Sequence, residues 1–191
     1  AKVKALLHRL IAKLPADECY LEIGCLCGST LVSGLLDHKD VSAYACDNFS
    51  EFEARFDAKK NLPANLAAYA ARLPKIDFRN VDCFDLAKES APFAKPIGIY
   101  FYDGAHDAQS QAKAIIEFER HLSRNAIVLV DDWNREHVRQ GTWYGIDRIR
   151  PFRATFYELP SKAESDGAEF WNGVGAFFLE LQRPYPAAIG G

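Results

Sequence analysis

Apolar residues recur at helical spacing from the start of the chain: Val3, Leu6, Leu7, Leu10, Ile11 and Leu14, with polar and charged residues between them and Pro15 after. This is the pattern of an amphipathic helix over residues 1–14 with one buried face, ended by a residue that cannot continue it. The period then shortens. "CYLEIG" reads as a buried strand, followed by a glycine turn and a helix over about Ser29 to Leu36. "VSAYACD" predicts a second strand ending at Asp47. Ser50 with Glu53 makes a capping box for a helix beginning near Glu51. Pro63 is expected to break that helix, and "ANLAAYAARL" to continue as another. The stretch from Ser50 to Leu73 reads either as a lid or as a packed helical pair.

"IDFRNVD", "IGIYFYD" and "AIVLVDD" predict strands three, four and five. The fourth is continuously apolar, as expected of a strand buried on both faces. Asp107 can cap the next helix, whose inner face would carry Ala108, Ala112, Ile115, Phe118 and Leu122. Two further strands, "RATFYEL" and "VGAFFLEL", flank the polar loop "PSKAESDGAEFWNG", and residues 183–191, "RPYPAAIGG", read as a loose tail. Strands alternating with helices predict an α/β fold, a doubly wound Rossmann-like sheet. Five parallel strands plus a C-terminal antiparallel hairpin make seven, with helices on both faces, in a single domain over residues 1–191.

Composition narrows the function classes. Hydrophobic residues are 49% and charged residues 26% of the chain, as in ordinary globular domains. A net charge of -3 without basic runs argues against a nucleic-acid or membrane-surface partner. No apolar run approaches the roughly 18 residues of a membrane span. The charged opening stretch does not read as a signal peptide, and the lack of any Met is expected of a chain trimmed or renumbered at its start. Cys19, Cys25, Cys27, Cys46 and Cys83 are irregularly spaced and form no CxxC, as expected of reduced thiols in a cytoplasmic protein.

A doubly wound sheet binds ligands beyond the carboxyl ends of its strands. Those ends carry Glu22 and Gly24, Asp47, Asp82, Asp103, and the pair Asp131 and Asp132. Asp47 follows the glycine turn by about 20 residues, where an acid accepts hydrogen bonds from ribose hydroxyls. A dinucleotide fingerprint needs a central Gly for close approach of the pyrophosphate, and Leu26 stands there instead. The pattern therefore suits an adenosyl ligand without phosphates, such as S-adenosylmethionine. Strands four and five should be neighbours, so Asp103, Asp131 and Asp132 converge on one cleft, where three carboxylates repel one another unless a cation is present. An all-oxygen set favours Mg²⁺ or Ca²⁺.

The chain resembles the class I S-adenosylmethionine-dependent methyltransferases over nearly its full length, with Glu22, Gly24 and Gly28 matching E-x-G-x-x-x-G and Ser29 following. The resemblance implies that Gly24 and Gly28 let the turn pack against the methionine part and that Glu22 supports its amino group through water. It also implies that Asp47, with Asn48 beside it, holds the ribose, and that Asp82 and Cys83 lie by the adenine. "DGAH" at 103–106 and "DDWN" at 131–134 resemble the metal-dependent macrocin-type O-methyltransferases acting on sugar hydroxyls. That resemblance implies Asp103, Asp131 and Asp132 as ligands of Mg²⁺ or a similar cation. It makes His106 the general base, with Asp103 both catalytic and cofactor-binding. Trp133, Arg135, His137, Trp143 and Tyr144 are candidates for an acceptor wall, or for a helix that simply covers the sheet.

The expected activity is methyl transfer from S-adenosylmethionine to a hydroxyl of a small sugar-like or natural-product acceptor. Homo-oligomers are compatible with it. A metal-independent methyltransferase on the same fold is the nearest alternative, and a non-catalytic S-adenosylmethionine-binding module is another. A nicotinamide-dependent dehydrogenase is weakened by Leu26.

Overall fold

The computed structural model of the chain describes residues 2–161, 170 and 172–182. Seven strands form one sheet in the order β3-β2-β1-β4-β5-β7-β6. They are β1 (Cys19–Ile23), β2 (Ser42–Cys46), β3 (Ile76–Arg79), β4 (Ile97–Tyr102), β5 (Leu122–Val130), β6 (Arg153–Leu159) and β7 (Val174–Glu180). The first five pair in parallel, and β7 lies antiparallel between β5 and β6. The strand order reverses between β1 and β4, which is where a doubly wound sheet opens a crevice.

Among the described residues, seven α-helices accompany the sheet: α1 (Lys2–Ile11), α2 (Ser29–Leu35), α3 (Glu53–Phe56), α4 (Ala58–Tyr69), α5 (Cys83–Lys88), α6 (Ala108–Ile116) and α7 (Glu136–Ile149). The two-residue period of the strands divides the core. Leu21, Ile23, Tyr100 and Tyr102 pack with Leu86, Ile115 and Val138 of α5, α6 and α7. Tyr20, Ile99 and Phe101 pack on the other face with Leu7, Leu31 and Leu62 of α1, α2 and α4. Both faces of β1 and β4 are thus covered, and every residue of these two strands is buried. Burying a large apolar side chain stabilises by about 1.5–3 kcal/mol, so the central strands are a rigid base for their carboxyl ends.

Three local expectations change. Pro63 sits inside α4 and does not break it; the interruption falls at Asp57, whose φ of 47° is left-handed. The predicted helix near Glu51 is a four-residue helix starting at Glu53, entered through Phe52 at φ 61°, with the Phe52 carbonyl accepting from the N–H groups of Arg55 and Phe56. Leu122 does not belong to α6 but opens β5. The expected loose tail at 183–191 and most of the polar loop after β6 lie outside the described residues. No helix among the described residues is long and apolar enough to cross a membrane.

Candidate active site

The parallel ladder continues one residue past several strands, and that places the acids. Asp47 N–H donates to the Arg79 carbonyl (3.2 Å), Asp103 N–H to that of Ile23 (2.9 Å), and Asp131 N–H to that of Tyr102 (3.0 Å). Each carboxylate therefore stands at the first position beyond the sheet, where its side chain meets the crevice. Asp82 has a second task as N-cap of α5, its Oδ1 accepting from Phe84 N–H at 2.8 Å. Asp107 caps α6 in the same way through Ser110 N–H at 2.9 Å, as expected.

The glycine turn is built around close backbone approach. Gly24 has φ 81°, and a Cβ there would overlap the carbonyl oxygen of Asp103. Gly28, at φ 80°, precedes α2. Leu26 between them is also left-handed, at φ 45°. Its N–H donates to Asp47 Oδ2 at 2.7 Å, while Asp47 Oδ1 accepts from Phe49 N–H at 2.7 Å. Asp47 thus holds the turn after β1 and the segment after β2 together, and each oxygen keeps acceptor capacity for a further donor.

Two cavities open along this edge. The first, of about 270 Å³, is lined by Gly24, Leu26, Asp47, Asn48, Asp82 and Cys83 together with Asp103 and His106. Asn48 Nδ2 reaches Asp82 Oδ2 at 3.5 Å across it. The second, of about 710 Å³, is lined by Asp103, His106, Asp131, Asp132, Arg135 and Asn172 among others. Glu22, Gly28 and Ser29 line neither. Ser29 Oγ accepts from Lys4 Nζ at 2.6 Å. Glu22 is fully buried, with one carboxylate oxygen accepting from Tyr20 Oη and the other from Thr30 Oγ1, each at 2.5 Å. Its place is beneath the turn, tying β1 to the first turn of α2.

Burial lifts the Glu22 carboxyl from the ordinary 4.5 to about 7, against the pull of its Thr30 and Tyr20 hydrogen bonds. An acid raised on folding keeps its full contribution below the unfolded value and loses it as pH climbs through the folded one. Stability should therefore fall between about pH 4.5 and 7, by roughly 3 kcal/mol from this group. Urea denaturation across that window should show the slope in the wild type and a flatter one in Glu22→Gln. Parallel slopes would remove Glu22 as the cause.

At the far end, His106 Nε2 lies 2.8 Å from Asp132 Oδ2 and 3.8 Å from Asp103 Oδ1. Those two carboxylates push the imidazole up to about 10, so the ring holds its proton in this arrangement. Asp132 also takes Arg135 Nε at 3.1 Å and Asn172 Nδ2 at 2.7 Å. Burial acts to raise the Asp132 carboxyl, but its bonds with His106 and Asn172 hold it below the usual range. Burial first, and the neighbouring acids second, raise Asp131 well above that range, and burial likewise raises Asp103. Asp131 Oδ1 is buried with no hydrogen-bond partner among the described residues. Among the described residues, no three His, Cys, Asp or Glu side chains are arranged to hold a metal ion.

Of the proposed acceptor wall, Arg135 and His137 line the second cavity, whereas Trp133, Trp143 and Tyr144 line neither. Trp133 is buried and packs with Trp143, Phe156 and Phe177 against the sheet, which is the covering-helix reading. Sequence reasoning missed Phe52, Ser110 and Asn172 as lining residues. Asn172 reaches Asp132 from 40 positions away, with no local motif to announce it.

A seven-stranded sheet with β7 inserted antiparallel, and a glycine turn facing an acid just past the end of the next strand, defines the class I methyltransferase fold. The family model for the methyltransferase domain matches residues 21–133, more than half of the chain, and the chain belongs to that family. Among solved structures, it is similar to the O-methyltransferase TomG of Streptomyces achromogenes, involved in tomaymycin synthesis and solved with SAM. There the identity is 15% and the TM-score 0.64, over 93% of this chain and 79% of that one. An O-methyltransferase from Bacillus cereus solved with SAH gives 15% identity and a TM-score of 0.64, over 93% of this chain and 80% of that one. The precorrin 8W decarboxylase of Methanobacterium thermoautotrophicum gives 12% and 0.64, over 94% and 90%. At these identities the likeness is one of fold, and the decarboxylase shows that the fold alone does not name a reaction. No curated protein matches the sequence.

Proposed function

We propose that the chain transfers a methyl group from S-adenosylmethionine to a hydroxyl of a small acceptor, of sugar or natural-product type, with the help of a divalent cation such as Mg²⁺. The observation that carries this reading is the sharing of Asp103 and His106 by both cavities. One cavity has the glycine turn and Asp47, suited to an adenosyl group. The other has room and polar groups for a second reactant. Two reactants would therefore meet at Asp103 and His106. The O-methyltransferase neighbours support the choice of oxygen as acceptor.

In the transfer, the bond from sulfur to the methyl carbon breaks with its electron pair going to sulfur, and the acceptor oxygen forms the new bond. That oxygen must lose its proton, and His106 Nε2 is the nitrogen placed to take it once the ring is neutral. Asp47 and the turn fix the donor, and the cavity walls fix the acceptor; alignment of this kind lowers barriers by several kcal/mol, up to roughly 7–11. The oxygen-only donor set fits a hard cation in kind, since Asp131 Oδ1 is buried without a partner among the described residues and Asp103 and Asp132 line the same cavity. Asp103, Asp131 and Asp132 would hold it only after converging from their present arrangement, which does not form such a group, with Asp132 giving up His106. When bound, such a cation lowers the acceptor hydroxyl's pKa and draws carboxylate charge away from His106.

The reading is tested with S-adenosylmethionine labelled in its methyl group, offered with a panel of monosaccharides and phenolic glycosides, with Mg²⁺ or with a chelator. Label should enter an acceptor in the presence of Mg²⁺ and fall at least tenfold with chelator. Transfer insensitive to chelator would favour the metal-independent alternative. Cofactor binding with no transfer to any acceptor would favour the binding-module alternative.

A further inference from the structure

Between the cofactor end and the acceptor end stands one large apolar side chain. Phe52 lines both cavities, and the other residues on both linings are Glu51, Asp103, Ala105 and His106. Phe52 is 54% exposed, whereas the other Phe and Tyr residues on these linings differ: Tyr102 is buried and Phe84 partly buried. A Phe that projects into a cleft with half its surface in water has apolar area left to bury when the cleft fills.

The backbone beneath it is unusual. Phe52 has φ 61°, in the left-handed region that bulky L-residues rarely adopt. Phe49, at φ 53°, and Asp57, at φ 47°, bracket the short segment in the same conformation. Asp47 anchors the near end by accepting Phe49 N–H at 2.7 Å, and the Phe56 carbonyl at the far end accepts from Asn61 Nδ2 at 2.7 Å. The ends are held, while the ring between them makes an edge contact with Phe56, at 6.4 Å between centroids. Left-handed non-glycine residues persist only where the surrounding structure holds them, and their backbone sets the direction of the side chain. Here that direction puts an aromatic ring at the junction of the two compartments.

We propose that Phe52 is the retaining wall of the cofactor cavity: with S-adenosylmethionine or its demethylated product bound, its ring packs against the ligand and separates it from the water of the acceptor cavity. This rests on the cofactor reading above and adds to it a residue that slows ligand escape. A wall of this kind acts on dissociation more than on association, because capture needs only the open cleft whereas escape must expose the covered ligand again.

The test uses the whole chain and S-adenosylhomocysteine as probe, with Kd from calorimetry and the dissociation rate from surface plasmon resonance. Phe52→Ala should raise Kd about tenfold, most of it in a faster dissociation rate, and Phe52→Leu should restore affinity to within about threefold of the wild type. Since the ring is half exposed, both variants should melt with the wild type. Phe52→Ala within twofold of the wild type in both quantities would overturn the proposal. So would an equal loss in both variants accompanied by a lower melting temperature, which would mark a structural role. A wild type that fails to bind the probe at all would instead sink the cofactor reading, and this inference with it.

Discussion

His106→Ala should lower kcat by about 10²–10⁴-fold while leaving the Kd for S-adenosylmethionine within about threefold. The asymmetry follows from where the ring points. Its Nε2 faces Asp132 at 2.8 Å and Asp103 at 3.8 Å, on the acceptor side of the glycine turn. The groups that would hold the adenosyl part, Asp47 and Asn48, lie just beyond β2 and do not bond to His106 among the hydrogen bonds of the described residues. Truncating the imidazole removes a proton acceptor and leaves Asp132 with Arg135 and Asn172 as partners, so the carboxylate stays satisfied. Steady-state kinetics with the best acceptor of the panel, paired with calorimetry, checks both halves. Loss of cofactor affinity in proportion to kcat would assign His106 to binding rather than to proton transfer.

Gly24→Ala should cost more than any other single methyl in the chain's site. The added Cβ would meet the Asp103 carbonyl oxygen and would stand 2.5 Å from its carbon and 3.0 Å from Gly104 N. All three are backbone atoms, so no side chain can swing away. A left-handed φ of 81° adds about 1 kcal/mol for an alanine. Relief requires the ends of β1 and β4 to part, which moves Asp103 and breaks the bond from its N–H to Ile23. We expect S-adenosylmethionine binding weaker by at least about 100-fold and stability lower by about 2–3 kcal/mol, in line with overpacking of a well-filled site. Calorimetry and urea denaturation report the two effects separately. Binding within threefold of the wild type would mean that the turn tolerates separation and that its closeness is incidental.

Much of this site was legible because strands write their ends into sequence. The apolar runs of β2, β4 and β5 stop at Asp47, Asp103 and Asp131, and the parallel pairing of β4 with β5 sets the last two side by side regardless of the loop between them. Leu26 stands where a pyrophosphate needs glycine, and it does sit in the cavity wall, but its left-handed backbone and its bond to Asp47 have no sequence signature. Glu22 shows another side of the same pattern. Its motif position implies support of the cofactor's amino group through water, and the structure buries it under the turn, accepting from Tyr20 and Thr30. Pro63 illustrates a third: tertiary packing of Ala58 and Leu62 against the sheet outweighs the lost helical hydrogen bond that local propensity counts against it. Phe52 and Asn172 were invisible because one depends on a rare backbone conformation and the other on a contact across 40 residues.

The central claim is that the cavity at the turn takes a phosphate-free adenosyl ligand held by Asp47. Calorimetric titration of S-adenosylmethionine, and separately of NAD⁺, into the wild type and Asp47→Ala tests it most directly. The account predicts micromolar-range binding of S-adenosylmethionine by the wild type, on the order of −8 kcal/mol, a loss of at least about 100-fold in Asp47→Ala, and no heat with NAD⁺. Binding of NAD⁺ in preference to S-adenosylmethionine, or affinity for S-adenosylmethionine unchanged by Asp47→Ala, would contradict it.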